Sequence, residues 1–454
     1  MKTEKTNDKY TINMIEGPIF SKIVLFALPL IASSLLQYLF NSADTIVVGR
    51  FCGPTALAAI GSTGALTNLI INLFLGLSVG ANVVTANMYG AGRYRDVNDT
   101  VHSAITLSLL GGIGLAVIGI TLSRPLLTLM GTPEDVISQS ALYMRIYFTG
   151  MPIIMLYNFG SSILRAMGDT KRPLYYLLLA GVLNVGMNIF FVTVFNMGVA
   201  GVATATVLSQ CVSTFLVIRS LTKADGCFRL DLRNLHITFE KIKRIMKIGI
   251  PAGLQGVMFS ISNVVIQSSV NSFGSTVMAG STADSNIESF IYVAMNAVQQ
   301  TSISFTAQNY GARNMARLKK VHLYCLLLVT GIGVVMGCAV YFNGRTLVSI
   351  FSKDEDVIAV ALMRMQVIST TYFLCGMQEV ESGYLRGLGH SFLPMVISLA
   401  GVCGVRLLWI ATVFRTYHTT TVLFACYPVS WLIAFICLNA ASIHITKKLG
   451  TSLR

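Results

Sequence analysis

Leu164-Arg165-Ala166-Met167-Gly168 returns as Leu385-Arg386-Gly387-Leu388-Gly389, 221 residues later in a chain of 454. The same offset relates Tyr89-Gly90-Ala91 to Tyr310-Gly311-Ala312, Asp135-Val136 to Asp356-Val357, and Pro173 to Pro394. Four matches at one spacing mark an internal duplication. A repeat of this size in a hydrophobic chain points first to a transporter built from two related halves.

The chain is 54% hydrophobic and 11% charged, with a mean hydropathy of +0.68. A soluble globular protein carries roughly 25% charged residues, so the composition is that of a bilayer protein. Residues 51–92, 173–218, 248–283 and 416–446 hold no Asp, Glu, Lys or Arg. One crossing needs about 20 residues, so a stretch over 40 has room for two. Residues 173–218 therefore read as a helical hairpin turning at Asn196-Met197-Gly198. The whole chain divides into twelve expected spans: 23–46, 55–80, 101–122, 137–159, 173–194, 198–218, 247–271, 277–304, 321–342, 358–382, 391–413 and 419–443. The first nineteen residues mix charged and polar groups without an apolar core, and no cleavable secretory signal is expected there.

Short cytoplasmic loops accumulate Lys and Arg. With the N-terminus inside, the tail and alternate loops collect Lys2, Lys5, Lys9 and Lys22, then Arg93 and Arg95, then Arg165, Lys171 and Arg172. They continue with the basic run from Arg219 to Lys247, with Arg313, Arg317, Lys319 and Lys320, with Arg386, and with Lys447, Lys448 and Arg454. Both termini are therefore expected in the cytoplasm of a multi-pass cell-membrane protein. The same distribution accounts for the net charge of +14 and excludes nucleic acid as its cause. Both copies of the Leu-Arg motif fall in inside loops, so each half holds an even number of spans in one orientation. The expected organisation is an N-terminal six-helix lobe (1–220), a cytoplasmic linker (221–246) and a C-terminal six-helix lobe (247–454). A piece of the linker around Phe239 to Ile245 is expected to be amphipathic and to lie on the membrane surface. The substrate route is expected between the parallel repeats.

The nine cysteines show no C-x-x-C and the six histidines no metal-ligand spacing. The cluster Gly111, Gly112, Gly114 and Gly119 misses G-x-G-x-x-G and reads as helix packing. No cofactor or resident metal site is therefore expected.

Ionisable groups inside spans are costly and are functional candidates by default. Asp44, Asp284, Glu288, Glu379 and Glu381 are the acids placed there. Asp44 lies toward the outer end of the first span, and Asn184 and Asn188, spaced i, i+4, share one face of the fifth. A carboxylate with two amide oxygens suits a proton or a small cation such as Na⁺. Further i, i+4 polar pairs stand at Asn68 and Asn72, Asn263 and Gln267, and Asp284 and Glu288. Each reads as interhelical glue or as part of a polar path. Glu379 and Glu381 point to different helix faces, with Glu381 within reach of Arg386. Arg406, central to the eleventh span, needs a partner, and Glu379 is a candidate. Gln37, Tyr38, Met258 and Phe259 are candidates, with Glu288 and Glu379, for lining a substrate cavity that accepts flat organic cations.

At these residues the chain resembles the multidrug and toxic compound extrusion (MATE) transporters over nearly its whole length. The likeness rests on Ala43-Asp44-Thr45-Ile46-Val47-Val48-Gly49, the Leu-Arg-x-x-Gly repeats, Asn184 to Val192, and Gly198 to Thr206. The resemblance implies an all-α membrane fold of twelve helices in two V-shaped lobes, exchanging organic cations or drugs for Na⁺ or H⁺ by alternating access. It implies ion-coupling roles for Asp44, Asn184 and Thr206, with Asn188 standing where many relatives have Asp. Some relatives carry an acid in the seventh span. Nothing between Lys247 and Asp284 is acidic here, so Glu288 and Glu379 would have to replace it. Membrane lipids are the expected surroundings, and the transporter is expected to work as a monomer.

A lipid-linked oligosaccharide flippase should present basic residues to pyrophosphate, and only Arg406 reads as central to a span, Arg145 and Arg364 reading as anchors near outer helix ends. A membrane-embedded transferase should show a His, Asp or Cys constellation at a membrane face. A fixed-pore channel fits a twofold repeat with intramembrane carboxylates less well than alternating access does.

Overall fold

The computed structural model describes residues 10–452. Lys2, Lys5, Lys9 and Arg454, used above for orientation, lie outside the described residues. Twelve long helical segments follow in order, with short helical turns at Leu232–Asn234 and Gly344–Ser349 between them, and no strand occurs among the described residues. Ten of the segments are long and apolar enough to cross a membrane. The remaining two are the fourth, divided into Glu134–Thr149 and Met151–Ala166, and the eighth, Ser275–Gly311. The two halves of the fourth have 16 residues each, and the eighth carries many Ser, Thr, Asn and Gln. The protein is a multi-pass membrane protein with the twelve-helix, two-repeat layout.

Several helices overrun the expected spans. The second, Pro54–Gly90, has 37 residues, about 55 Å at 1.5 Å per residue, against a hydrocarbon core of about 30 Å. The helix runs on to the backbone stop after Gly90, because helical hydrogen bonding is not limited to the length of one crossing. The run Phe239 to Ile245 shows the same effect. It forms the opening turns of the seventh helix, Phe239–Asn271, with Lys241 buried on the Asp96 carboxylate.

The repeat is visible in the backbone. In the first copy of the motif the amide of Asp169 donates to the Leu164 carbonyl and that of Gly168 to Arg165. In the second, His390 donates to Leu385 and Gly389 to Arg386. Each is a Schellman helix stop, and the glycine takes the left-handed conformation, at φ +97° and +86°. Much of the repeated motif is thus a signal to end a helix. Tyr89-Gly90-Ala91 and Tyr310-Gly311-Ala312 precede an equivalent pair of stops, with Gly92 and Arg313 at positive φ. The kinks repeat as well. The fourth span breaks at Gly150 before Pro152, and a Cβ on Gly112 would meet the Pro152 Cα at 2.5 Å. The tenth span, Glu355–Gly387, tightens to a 3-10 turn at Ser369–Thr371. There a Cβ on Gly333 would meet the Phe373 Cα at 2.7 Å. Gly333 stands 221 residues after Gly112, and Phe373 stands 221 after Pro152.

The described residues form two compact units, one of residues 10–13 and Leu28–Gly253, the other of Met14–Ala27 and residues 254–452. Within the first, Gly76 and Gly80 of the second span meet Gly249 and Gly253 of the seventh. A Cβ on Gly76 would lie 2.2 Å from the Gly253 nitrogen, and one on Gly253 would lie 2.4 Å from the Leu73 carbonyl oxygen. Two small-x-x-x-small faces let these backbones touch where lipid offers no hydrophobic drive. Gly253→Ala is expected to lower the melting temperature of the detergent-purified protein. Gly114→Ala, in open space on the third helix, is expected not to. Equal melting of the two variants would refute this contact.

The eleventh span, Phe392–Phe414, is α-helical only in pieces. Leu399–Gly404 and Ile410–Phe414 close wider turns with i→i+5 bonding, and Val405–Trp409 is α-helical between them.

Candidate functional site

In the first unit, Val47, Val48, Val192, Val199 and Val202 pack into one buried cluster with Ala56. That cluster brings the first, fifth and sixth spans together beside Asp44. Asn188 Nδ2 donates to Asp44 Oδ1 and, at 3.3 Å, to Asn184 Oδ1. Asn184 Nδ2 donates in turn to the Thr206 hydroxyl at 3.4 Å. That hydroxyl lies 3.5 Å from Asp44 Oδ2 and 3.0 Å from the Val202 carbonyl. Asn188 is fully buried, yet its Oδ1 has no hydrogen-bond partner among the described residues. The four residues singled out in sequence are therefore one cluster, with a single carboxylate. An orphaned amide oxygen beside that carboxylate is the donor set of a proton or a hard cation such as Na⁺.

The second unit holds a cavity of about 370 Å³ lined by Phe259, Glu288, Glu379, Tyr292, Arg364 and Arg406, among others. Three of the expected cavity residues, Phe259, Glu288 and Glu379, are in its wall. Met258 is not among the lining residues, and its carbonyl accepts from Cys403. Gln37 and Tyr38 belong to the first unit, Gln37 exposed and Tyr38 half-buried. Asn263 and Gln267 also line the cavity. Asn72 is half-buried on the second helix, and the side chain of Asn68 lies outside those described.

Three electrostatic pairings differ from expectation. Arg364 does not reach an interface as an anchor. It is buried, 2.7 Å from Asp284 Oδ2 and 3.1 Å from Glu288 Oε2. Glu379 does not pair with Arg406. Its carboxylate is taken by the amides of Gln299 and Gln378. Arg406 instead donates from Nε to Ser430 Oγ at 3.0 Å and from Nη1 to Asn263 Oδ1 at 3.3 Å, and its guanidinium stands 4.4 Å from the Tyr427 ring centroid. Glu381 is not paired with Arg386. It is fully buried and accepts from Ser442 at 2.5 Å and Asn439 at 2.8 Å, with His322 Nε2 at 3.0 Å. Sequence reading missed Arg364, Tyr427, Trp431 and His322 as site residues. The signal for Arg364 was present, since Asp284 and Glu288 on one helix face demand a cation.

The profile of the MatE family matches residues 29–190 and 251–411. The chain is 29% identical over 440 residues to the "Probable multidrug resistance protein YoeA" of Bacillus subtilis, covering 95% of each. It is also 29% identical over 388 residues to the "Probable multidrug resistance protein YpnP" of the same organism, covering 85% of this chain and 86% of that one. A solved structure described as the "Outward-facing conformation of a multidrug resistance MATE family transporter of the MOP superfamily" matches with a TM-score of 0.90 at 23% identity. The match covers 99% of this chain and all of that one, 100%. The chain belongs to the MATE family of membrane transporters.

Proposed function

We propose that this protein is a secondary active efflux transporter that exports organic cations or drugs in exchange for Na⁺ or H⁺. The Asp44 cluster carries this reading: one carboxylate, three hydrogen-bonding neighbours and an orphaned amide oxygen, all inside a membrane-spanning unit. Asp44 is the coupling group. Asn184, Asn188 and Thr206 hold it and share the bound ion. Glu288 and Glu379, with Phe259, supply polar and aromatic wall to the cavity in the second unit. The names of the Bacillus subtilis relatives support the substrate class. The distribution of Lys and Arg supports cytoplasmic termini.

Ion binding drives export only by favouring one open state over the other, and a drug is moved only if its affinity differs between them. The test is purified protein in liposomes, with Na⁺ and pH gradients imposed separately while a fluorescent organic cation is followed. One gradient is expected to drive movement of the dye and its collapse to stop it. Dye movement that ignores both gradients would refute the exchange mechanism.

A further inference from the structure

A guanidinium stays charged at any accessible pH, and an intramembrane charge calls for a partner. Arg406 is only 4% exposed, yet it makes no ion pair with any described acid. Its three protein contacts are neutral: the Ser430 hydroxyl, the Asn263 amide oxygen and the Tyr427 ring face, with the Trp431 ring next at 5.9 Å. It also lines the cavity of the second unit. Neither acid in that wall pairs with Arg406: Glu288 pairs with Arg364, and Glu379 accepts from two glutamine amides. The cavity wall thus holds a fixed cation, oriented by an aromatic face, with Nε and Nη1 occupied and no acceptor on Nη2 among the described residues.

The duplication makes this position more pointed. Tyr427 is 221 residues after Thr206, and Ser430 is 221 after Ser209. In the first half, the fifth span's Asn188 reaches the first span's Asp44. In the second half, the eleventh span's Arg406 reaches the seventh span's Asn263. The repeat has built a polar junction in each half from corresponding spans. One is centred on a carboxylate, the other on a guanidinium.

We propose that the cavity of the second unit is an anion site in which Arg406 receives the carboxylate of a ligand with a flat aromatic body. The guanidinium supplies charge and directed N–H donors, and the rings of Phe259, Tyr292 and Tyr372 along the wall receive the aromatic body. This goes beyond the efflux reading, because it concerns binding in the second unit and needs no role for Asp44.

The chain has two tryptophans, Trp409 and Trp431, so Trp409→Phe leaves Trp431 beside Arg406 as the sole donor for energy transfer. Full-length protein with that substitution, in detergent, is titrated with anthracene-9-carboxylate and with the neutral anthracene-9-carboxamide. The carboxylate is expected to bind at least about tenfold more tightly, since one lost charge-assisted contact in a buried site is commonly worth that much. Arg406→Gln is expected to abolish the preference. Asn263→Asp, which places a permanent carboxylate on the guanidinium, is expected to abolish it too, and it carries the test if Arg406→Gln fails to elute as a folded species. Asp44→Asn is expected to leave binding unchanged, so loss of coupling and loss of this site are separable. Equal binding of the two probes, or carboxylate binding that survives Asn263→Asp, would overturn the proposal.

Discussion

Asp44→Asn is expected to reduce gradient-driven ethidium efflux by about tenfold or more at equal expression, the scale of an ordinary coupling free energy. The substitution keeps the size of the side chain and an oxygen that can accept from Asn188 Nδ2, so the helix contacts survive. It removes the only carboxylate of the cluster. Neighbouring Asn184, Asn188 and Thr206 supply dipoles and no formal charge, so nothing else in the cluster takes over ion binding. Efflux is read in cells carrying either form, with expression checked by immunoblot. Unchanged, gradient-dependent efflux would remove Asp44 from the mechanism.

The second large effect is on stability. Arg364→Leu is expected to destabilise the protein by about 3–5 kcal/mol, because it strands two buried carboxylates. Asp284 and Glu288 both lean on one guanidinium through Oδ2 and Oε2, and Glu288 Oε1 and Asp284 Oδ1 have no hydrogen-bond partner among the described residues. Adding Asp284→Asn and Glu288→Gln to Arg364→Leu is expected to restore much of the loss, since it removes the charges left behind. Thermal unfolding of the detergent-solubilised protein measures both. A single variant that melts with the parent would mean that the triad contributes nothing to stability.

The fold was readable because a bilayer imposes few choices. Charge-free runs gave the spans, and Leu164 to Gly168 with its copy gave the period. The Asp44 cluster was readable in part for a local reason, since Asn184 and Asn188 at i, i+4 had to share a face. Pairings between spans were not readable, because sequence spacing says nothing about which helix faces which. Glu381 and Arg386 illustrate the geometry. Five residues along an α-helix turn the side chains about 140° apart, so Glu381 looks away from Arg386 and into His322, Asn439 and Ser442. Arg364 misled for a related reason. Its position near a helix end suggested an interfacial anchor, whereas Asp284 and Glu288 on the eighth span had already fixed its direction. Arg406 is therefore joined by a second buried cation, Arg364, which is neutralised where it stands.

The wider turns of the eleventh span have a consequence for what the duplication could become. The fifth span, Lys171–Thr193, and the eleventh, Phe392–Phe414, have equal length, 23 residues, and the same start and end at the period of 221. A turn closed by i→i+5 bonds takes up one more residue than an α-turn, so the chain beyond it lags by about 100°. Val405 is the counterpart of Asn184 in number, but after Leu399–Gly404 that angular place passes to the next residue, Arg406. A one-residue slip in phase, with no insertion or deletion, gave the duplicated helix a different side chain to present. It let one half turn a guanidinium where the other turns an amide.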